Sequence, residues 1–115
     1  MKVTQSKQGA WTVLALTGKV DHAGADELEA MLLPLMSGGS VALDFRGVDY
    51  ITSSGFRVLM HAEREQHAKK GRLVLGNMTS AVRYIFDTAG LSQHFKIVHE
   101  LSAVLNPPGP GGGRR

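Results

Sequence analysis

Apolar positions along this chain recur at about two residues in some stretches and about 3.6 in others, and the changes of period divide it into strands and helices. WTVLALTG alternates imperfectly and is rich in Val, Leu and Thr, which predicts a largely buried strand. VTQSK, across Gly9, reads as its more exposed hairpin partner. In DHAGADELEAMLLPLM, Leu28, Met31, Leu32 and Leu35 fall at i, i+3, i+4 and i+7, one helical stripe, with Asp26 and Glu27 near the positive end of the helix dipole. Pro34 interrupts that stripe. An interior proline removes a backbone hydrogen bond at a cost of about 3 kcal/mol, so a kink or an early helix end is expected there.

SVALDF, short, apolar and preceded by Gly38-Gly39, predicts a second buried strand. A helix from Ser53 to Lys70 should follow, with Val58, Leu59 and Ala62 on its core stripe and Lys69, Lys70 and Gly71 as its stop. RLVLG reads as a third buried strand, and TSAVRYIFDTAG places Val82, Ile85, Phe86 and Ala89 at helical spacing. FKIV and ELSAVL read as a last short strand and a last short helix before Pro107. The order is β-β-α-β-α-β-α-β-α, an α/β class with a four- to five-stranded mixed sheet and about four helices.

A length of 115 residues with 43% hydrophobic and 20% charged residues suits one globular domain, assigned to residues 1–106. Residues 107–115 form a Pro/Gly-rich tail with too little apolar surface to order itself. Two of the three net positive charges are Arg114 and Arg115 in that tail, which leaves the domain near neutral, with acids and bases interspersed. No basic stripe with interleaved aromatics appears, so nucleic-acid binding is not expected. The absence of cysteine rules out thiol catalysis and disulfides and fits a reducing compartment. With no signal-like or membrane-spanning apolar run, a cytoplasmic protein is expected, without cofactor and monomeric when free.

The chemistry concentrates in VDYITSSGFR, where Thr52, Ser53 and Ser54 meet at a strand-to-helix crossover. Functional groups in open α/β sheets collect at the carboxyl ends of strands. One hydroxyl capping a helix contributes about 1 kcal/mol, but three are more than capping requires. No capping box assists, because Gly55, Phe56 and Arg57 occupy the positions three residues on. A small serine hydrolase is the catalytic alternative, yet the run lacks the Gly-x-Ser-x-Gly elbow and a recognisable base and acid. His22, His61, His67, His94 and His99 show no metal-ligand spacing. A third reading is a regulated hydroxyl, since a phosphoryl group at a helix amino terminus meets free N–H donors and the positive dipole end.

LTGKVDHAGADELEAML, VALDFRGVDYITSSGFRVL and GRLVLGNMTSAVRYIFDTAGLSQHFKI together resemble the bacterial STAS-domain anti-sigma factor antagonists over residues 10 to 100. The resemblance implies a non-enzymatic partner switch. Unphosphorylated, such a protein binds an anti-sigma factor serine kinase with a histidine-kinase-like ATPase fold and so frees a sigma factor. The kinase phosphorylates it to end the contact, and a PPM-type phosphatase resets it. The family's phosphorylated serine falls on Ser53 and its turn aspartate on Asp21. Thr52 stands where several members carry Asp. The partner surface then comprises Asp21, Thr52, Ser53, Ser54, Gly55, Phe56 and Met60, of which Phe56 and Met60 lie one turn apart on a face offset from the core stripe. Two divisions of labour stay open: Thr52 or Ser54 as the helix cap, and Asp21 as cap of the first helix or as part of the partner surface. The same module also serves as a regulatory subunit of lipid ABC transporters and of secretion switches, the alternative role.

Overall fold

A hairpin begins the sheet: β1 (Lys2–Gln8) pairs antiparallel with β2 (Trp11–Val20), from Lys2 opposite Thr17 to Gln8 opposite Trp11. From β2 onward every pairing is parallel, to β3 (Ser40–Ile51), then β4 (Arg72–Gly76), then β5 (Lys96–Val98). The computed structural model describes residues 1–106, and within them the five strands lie in sequence order. The expected Pro/Gly-rich tail, 107–115, falls outside the described residues. Parallel neighbours need crossovers, supplied here by α1 (His22–Leu32), α2 (Ser53–Ala68) and α3 (Ser80–Thr88), with α4 (Ser102–Leu105) after β5.

Alternation along the strands gives each sheet face its own core. Leu14, Leu16, Leu43, Phe45, Leu73 and Leu75 pack under α1, α2 and α3. Trp11, Val13, Ala42 and Val74 face the other way, beneath Leu101 and the partly buried Val104 and Leu105 of the α4 region. Phe86 of α3 organises the larger core, meeting Phe45, Phe56 and Phe95 edge to face at 5.9, 5.0 and 5.9 Å.

One boundary settles a choice the sequence left open, and two differ in detail from its pattern. At Pro34 the outcome is an early end: α1 stops at Leu32 and a 3-10 turn, Leu33–Leu35, takes the proline where its missing N–H costs nothing. β3 runs six residues beyond SVALDF, to Ile51. In its second half only Val48 and Ile51 are buried, while Arg46, Gly47, Asp49 and Tyr50 are exposed, yet its backbone stays paired with β2 through two register shifts, ending at Val20 opposite Ile51. The carboxyl end of α2 comes at Ala68, two residues before the predicted Lys70, and the left-handed residue, Lys70 (φ +61°), lies within the expected Lys69–Lys70–Gly71 stop.

Gly71 has a different reason to be glycine. A Cβ there would lie 2.4 Å from the side-chain amide carbon of Gln66. Gln66, 1% exposed, accepts from the Gly38 N–H (3.0 Å) and donates to the carbonyls of Gly39 (2.9 Å) and Arg72 (3.0 Å). A buried amide is tolerated only when its donors and acceptor are met, and here all are. This one side chain ties the end of α2 to the loop before β3 and to the start of β4.

Candidate functional site

α1 and α2 leave the sheet from neighbouring parallel strands, so their amino termini emerge side by side. The junction is fixed by Thr52. Its backbone N–H (3.0 Å) and its hydroxyl (3.1 Å) both donate to the Val20 carbonyl, across 32 residues of sequence. Behind it, Gly55 is buried in the first turn of α2, where a Cβ would come within 2.6 Å of Ile51 Cγ1 and 2.7 Å of Val20 Cγ1. Only glycine lets the helix begin this close to the strand ends. Gly55, expected on the partner surface, is thus a packing residue.

The hydroxyls now separate. Thr52 stands at the N-cap position of α2 with extended backbone (φ −103°, ψ 178°), but its side chain makes no capping bond; its hydroxyl is turned toward β2, where it donates to Val20. Ser54 makes none either among the described residues, so neither expected cap operates. α2 begins its backbone ladder with Phe56 N–H donating to the Thr52 carbonyl, which leaves the N–H groups of Ser53, Ser54 and Gly55 without a helical acceptor. The other two long helices are capped. Asp21 accepts from Gly24 N–H at 2.9 Å at the start of α1, and Thr79 accepts from Val82 N–H at 3.2 Å at the start of α3. Ser53 is exposed and its hydroxyl has no partner among the described residues.

Asp21 is therefore the cap of α1, and it is exposed as well. The hydrogen bond from Gly24 holds its carboxyl below the usual carboxylate range. A carboxyl lowered on folding contributes stability above its unfolded pKa and loses that contribution as pH falls through the folded value. Phe56 and Met60 are half-buried, Phe56 with one side against Phe86, so each leaves part of its apolar surface outward beside Ser53. Of the residues named from the sequence, Asp21, Thr52, Ser53, Ser54 and Phe56 lie at the amino ends of α1 and α2, and Met60 lies two turns along α2. Sequence reasoning overlooked Arg57, exposed one turn beyond Ser53, whose i+4 spacing was the available signal.

Residues 3–101 match the family model described as Mlab, STAS domain. A candidate anti-sigma factor antagonist of Bordetella bronchiseptica, BtrV, is 32% identical over 105 residues that cover 90% of each chain. Among solved structures, SpoIIAA in its unphosphorylated form superposes with a TM-score of 0.72 at 23% identity, over 90% of this chain and 93% of that one. The Bacillus SpoIIAA in its phosphorylated form gives 0.66 at 22%, over 90% and 96%. Fold, hydroxyl site and relatives agree: this chain belongs to the STAS-domain family that includes the anti-sigma factor antagonists.

Proposed function

We propose that the chain is a phosphorylation-switched anti-sigma factor antagonist, a binding protein rather than an enzyme, acting as a monomer in the cytoplasm. With Ser53 unmodified it binds an anti-sigma factor serine kinase of histidine-kinase-like ATPase fold, and a sigma factor is released. That kinase transfers the γ-phosphoryl group of ATP to Ser53 Oγ: a P–Oγ bond forms, the bond to the β-phosphate oxygen breaks, and ADP and the serine proton leave. A PPM-type phosphatase hydrolyses the ester and resets the switch. The observation that carries this reading is the exposed, unbonded Ser53 hydroxyl at the start of α2, the one long helix of the three whose amino terminus has no side-chain cap. Relatives solved in unphosphorylated and phosphorylated forms support it. Among the described residues no helix is long and apolar enough to cross a membrane.

Phosphorylation acts by blocking the interface. The added charge of about −1.5 to −2 gains roughly 0.3–1 kcal/mol from the helix dipole, so the fold is kept. Desolvating the same charge against a partner shaped for a neutral hydroxyl costs several kcal/mol, and about 3 kcal/mol is already more than ~100-fold in affinity. Asp21, Phe56 and Met60 form the surface around the switch. Affinity capture with the wild-type chain beside Ser53→Asp should recover a histidine-kinase-like ATPase with the former only. In the presence of ATP that kinase should add a single phosphate, mapped by mass spectrometry to Ser53. Phosphate on Thr52 or Ser54, or recovery of a membrane permease with its ATPase in place of the kinase, overturns the proposal.

A further inference from the structure

We infer that Arg57 holds the phosphoryl group once Ser53 carries it, an inference that rests on the phosphorylation reading above. Arg57 follows Ser53 by four residues in α2, so the two share a face one turn apart, and helical side chains lean toward the amino terminus, which carries the guanidinium toward the Ser53 hydroxyl. Both residues are exposed, so neither has to be unpacked to meet the other. Arg57 also lines a cleft of about 300 Å³ between α1 and α2, together with His22, Asp26, Glu29, Ser54, His61 and, further along α2, Arg64. Two carboxylates share that cleft, yet Arg57 forms no ion pair among the described residues, whose pairs are His61–Glu65, Lys69–Glu65 and Arg83–Asp87. It is a cation held beside the switch without a fixed counter-charge.

A phosphoryl group on Ser53 has one clear adversary, the Asp21 carboxylate at the start of α1, brought alongside by the Thr52–Val20 bonds. Like charges repel, and Arg57 is placed to offset that repulsion. A planar guanidinium presents two parallel N–H donors that match two phosphate oxygens, and a dianion outcompetes the single charges of Asp26 and Glu29 for it. The modified serine would then be bound from two sides, by the free N–H groups of the first turn and by Arg57 from the turn below.

The test installs phosphoserine genetically at position 53 of the whole 115-residue chain, so that no kinase is needed, and follows the phosphate by phosphorus NMR through its second ionisation. Three proteins are compared: otherwise wild type, Arg57→Gln, and Arg64→Gln, which removes the same charge nearly two turns further along α2. The other titrating or charged groups around the site, the Met1 amino group, Lys19, Asp21, His22, Asp26, Glu29 and His61, are common to all three. The wild-type phosphate should ionise roughly 0.3–0.7 pH units below that of Arg57→Gln, the size an exposed ion pair supports. The difference should shrink in about 1 M salt, where the Debye length is ~3 Å. Arg64→Gln should titrate as wild type. Equal ionisation in wild type and Arg57→Gln, or an equal displacement by Arg64→Gln, overturns the assignment. A kinase that never labels Ser53 would sink the phosphorylation reading by a separate route, leaving this titration to be decided on its own.

Discussion

At its carboxyl end α2 leaves nothing of the buried Gln66 unmet, with three hydrogen bonds to the loop before β3 and the start of β4. At its amino end the same helix begins with three N–H groups that have no helical acceptor and a serine hydroxyl that bonds to nothing described. Both ends are anchored, but the anchors differ in what they consume. Gln66 consumes its whole polar inventory in fixing the chain. At the other end Thr52 and Gly55 do the fixing, one by bonding across to β2 and the other by letting the backbones close up, and Ser53 is left over. A helix can thus be seated firmly at a site without that site's own hydroxyl being part of the seating.

The largest effect expected on this contrast comes from Gln66→Leu. It removes three hydrogen bonds at about 0.5–1.5 kcal/mol each, with the Gly39 carbonyl keeping the Arg72 N–H as its other donor (2.8 Å), so a total loss of about 3 kcal/mol is expected in urea unfolding. A loss under about 1 kcal/mol would mean that water reaches these groups and that the end is not closed.

Next in size is Gly55→Ala. The new methyl would sit at 2.6–2.9 Å from atoms of Ile51 and Val20, and overpacking of this kind costs about 1–3 kcal/mol. Amide shifts should move at Ser53 and Ser54 as the first turn is pushed off the strand ends. A neutral outcome would show that the amino end is loosely seated, and the comparison would lose its point.

The smallest effect is the sharpest. Ser53→Ala should change stability by no more than about 0.5 kcal/mol, the ordinary range for an exposed position with no structural task. A loss above about 1 kcal/mol would reveal a capping bond and return Ser53 to the structural side.

What the sequence made legible follows how local each cause is. Asp21 caps a donor only three residues away, so its role could be read from the residues around it. The RLVLG strand and the periodic stripes of α1 and α2 are likewise local patterns, and the observed elements follow them. Thr52 misled because its hydroxyl is claimed by Val20, 32 positions back, and no local rule weighs such a competitor against capping. The second half of β3 hid for a related reason: its buried residues, Val48 and Ile51, are three apart and break the alternation of a strand, and the register shifts in its pairing with β2 are not visible locally. Gln66 looked like any polar residue of an exposed helix, since its partners at Gly38 and Gly39 are 28 and 27 residues distant. Ser53 itself was found through the crowding of hydroxyls and the family resemblance, and the structure adds that it is unencumbered.

The two hydrogen bonds from Thr52 to the Val20 carbonyl also set how far local motion travels. Opening the first turn of α2 breaks no ladder bond at Ser53 or Ser54, so their amides should exchange with solvent at almost no free-energy cost. The Thr52 amide is released only when β2 and β3 part, which belongs to the global end of the opening spectrum. One peptide unit separates the two regimes. Fraying around Ser53, whether thermal or imposed by an enzyme drawing the serine into its own site, is therefore stopped at Thr52 and does not loosen the sheet.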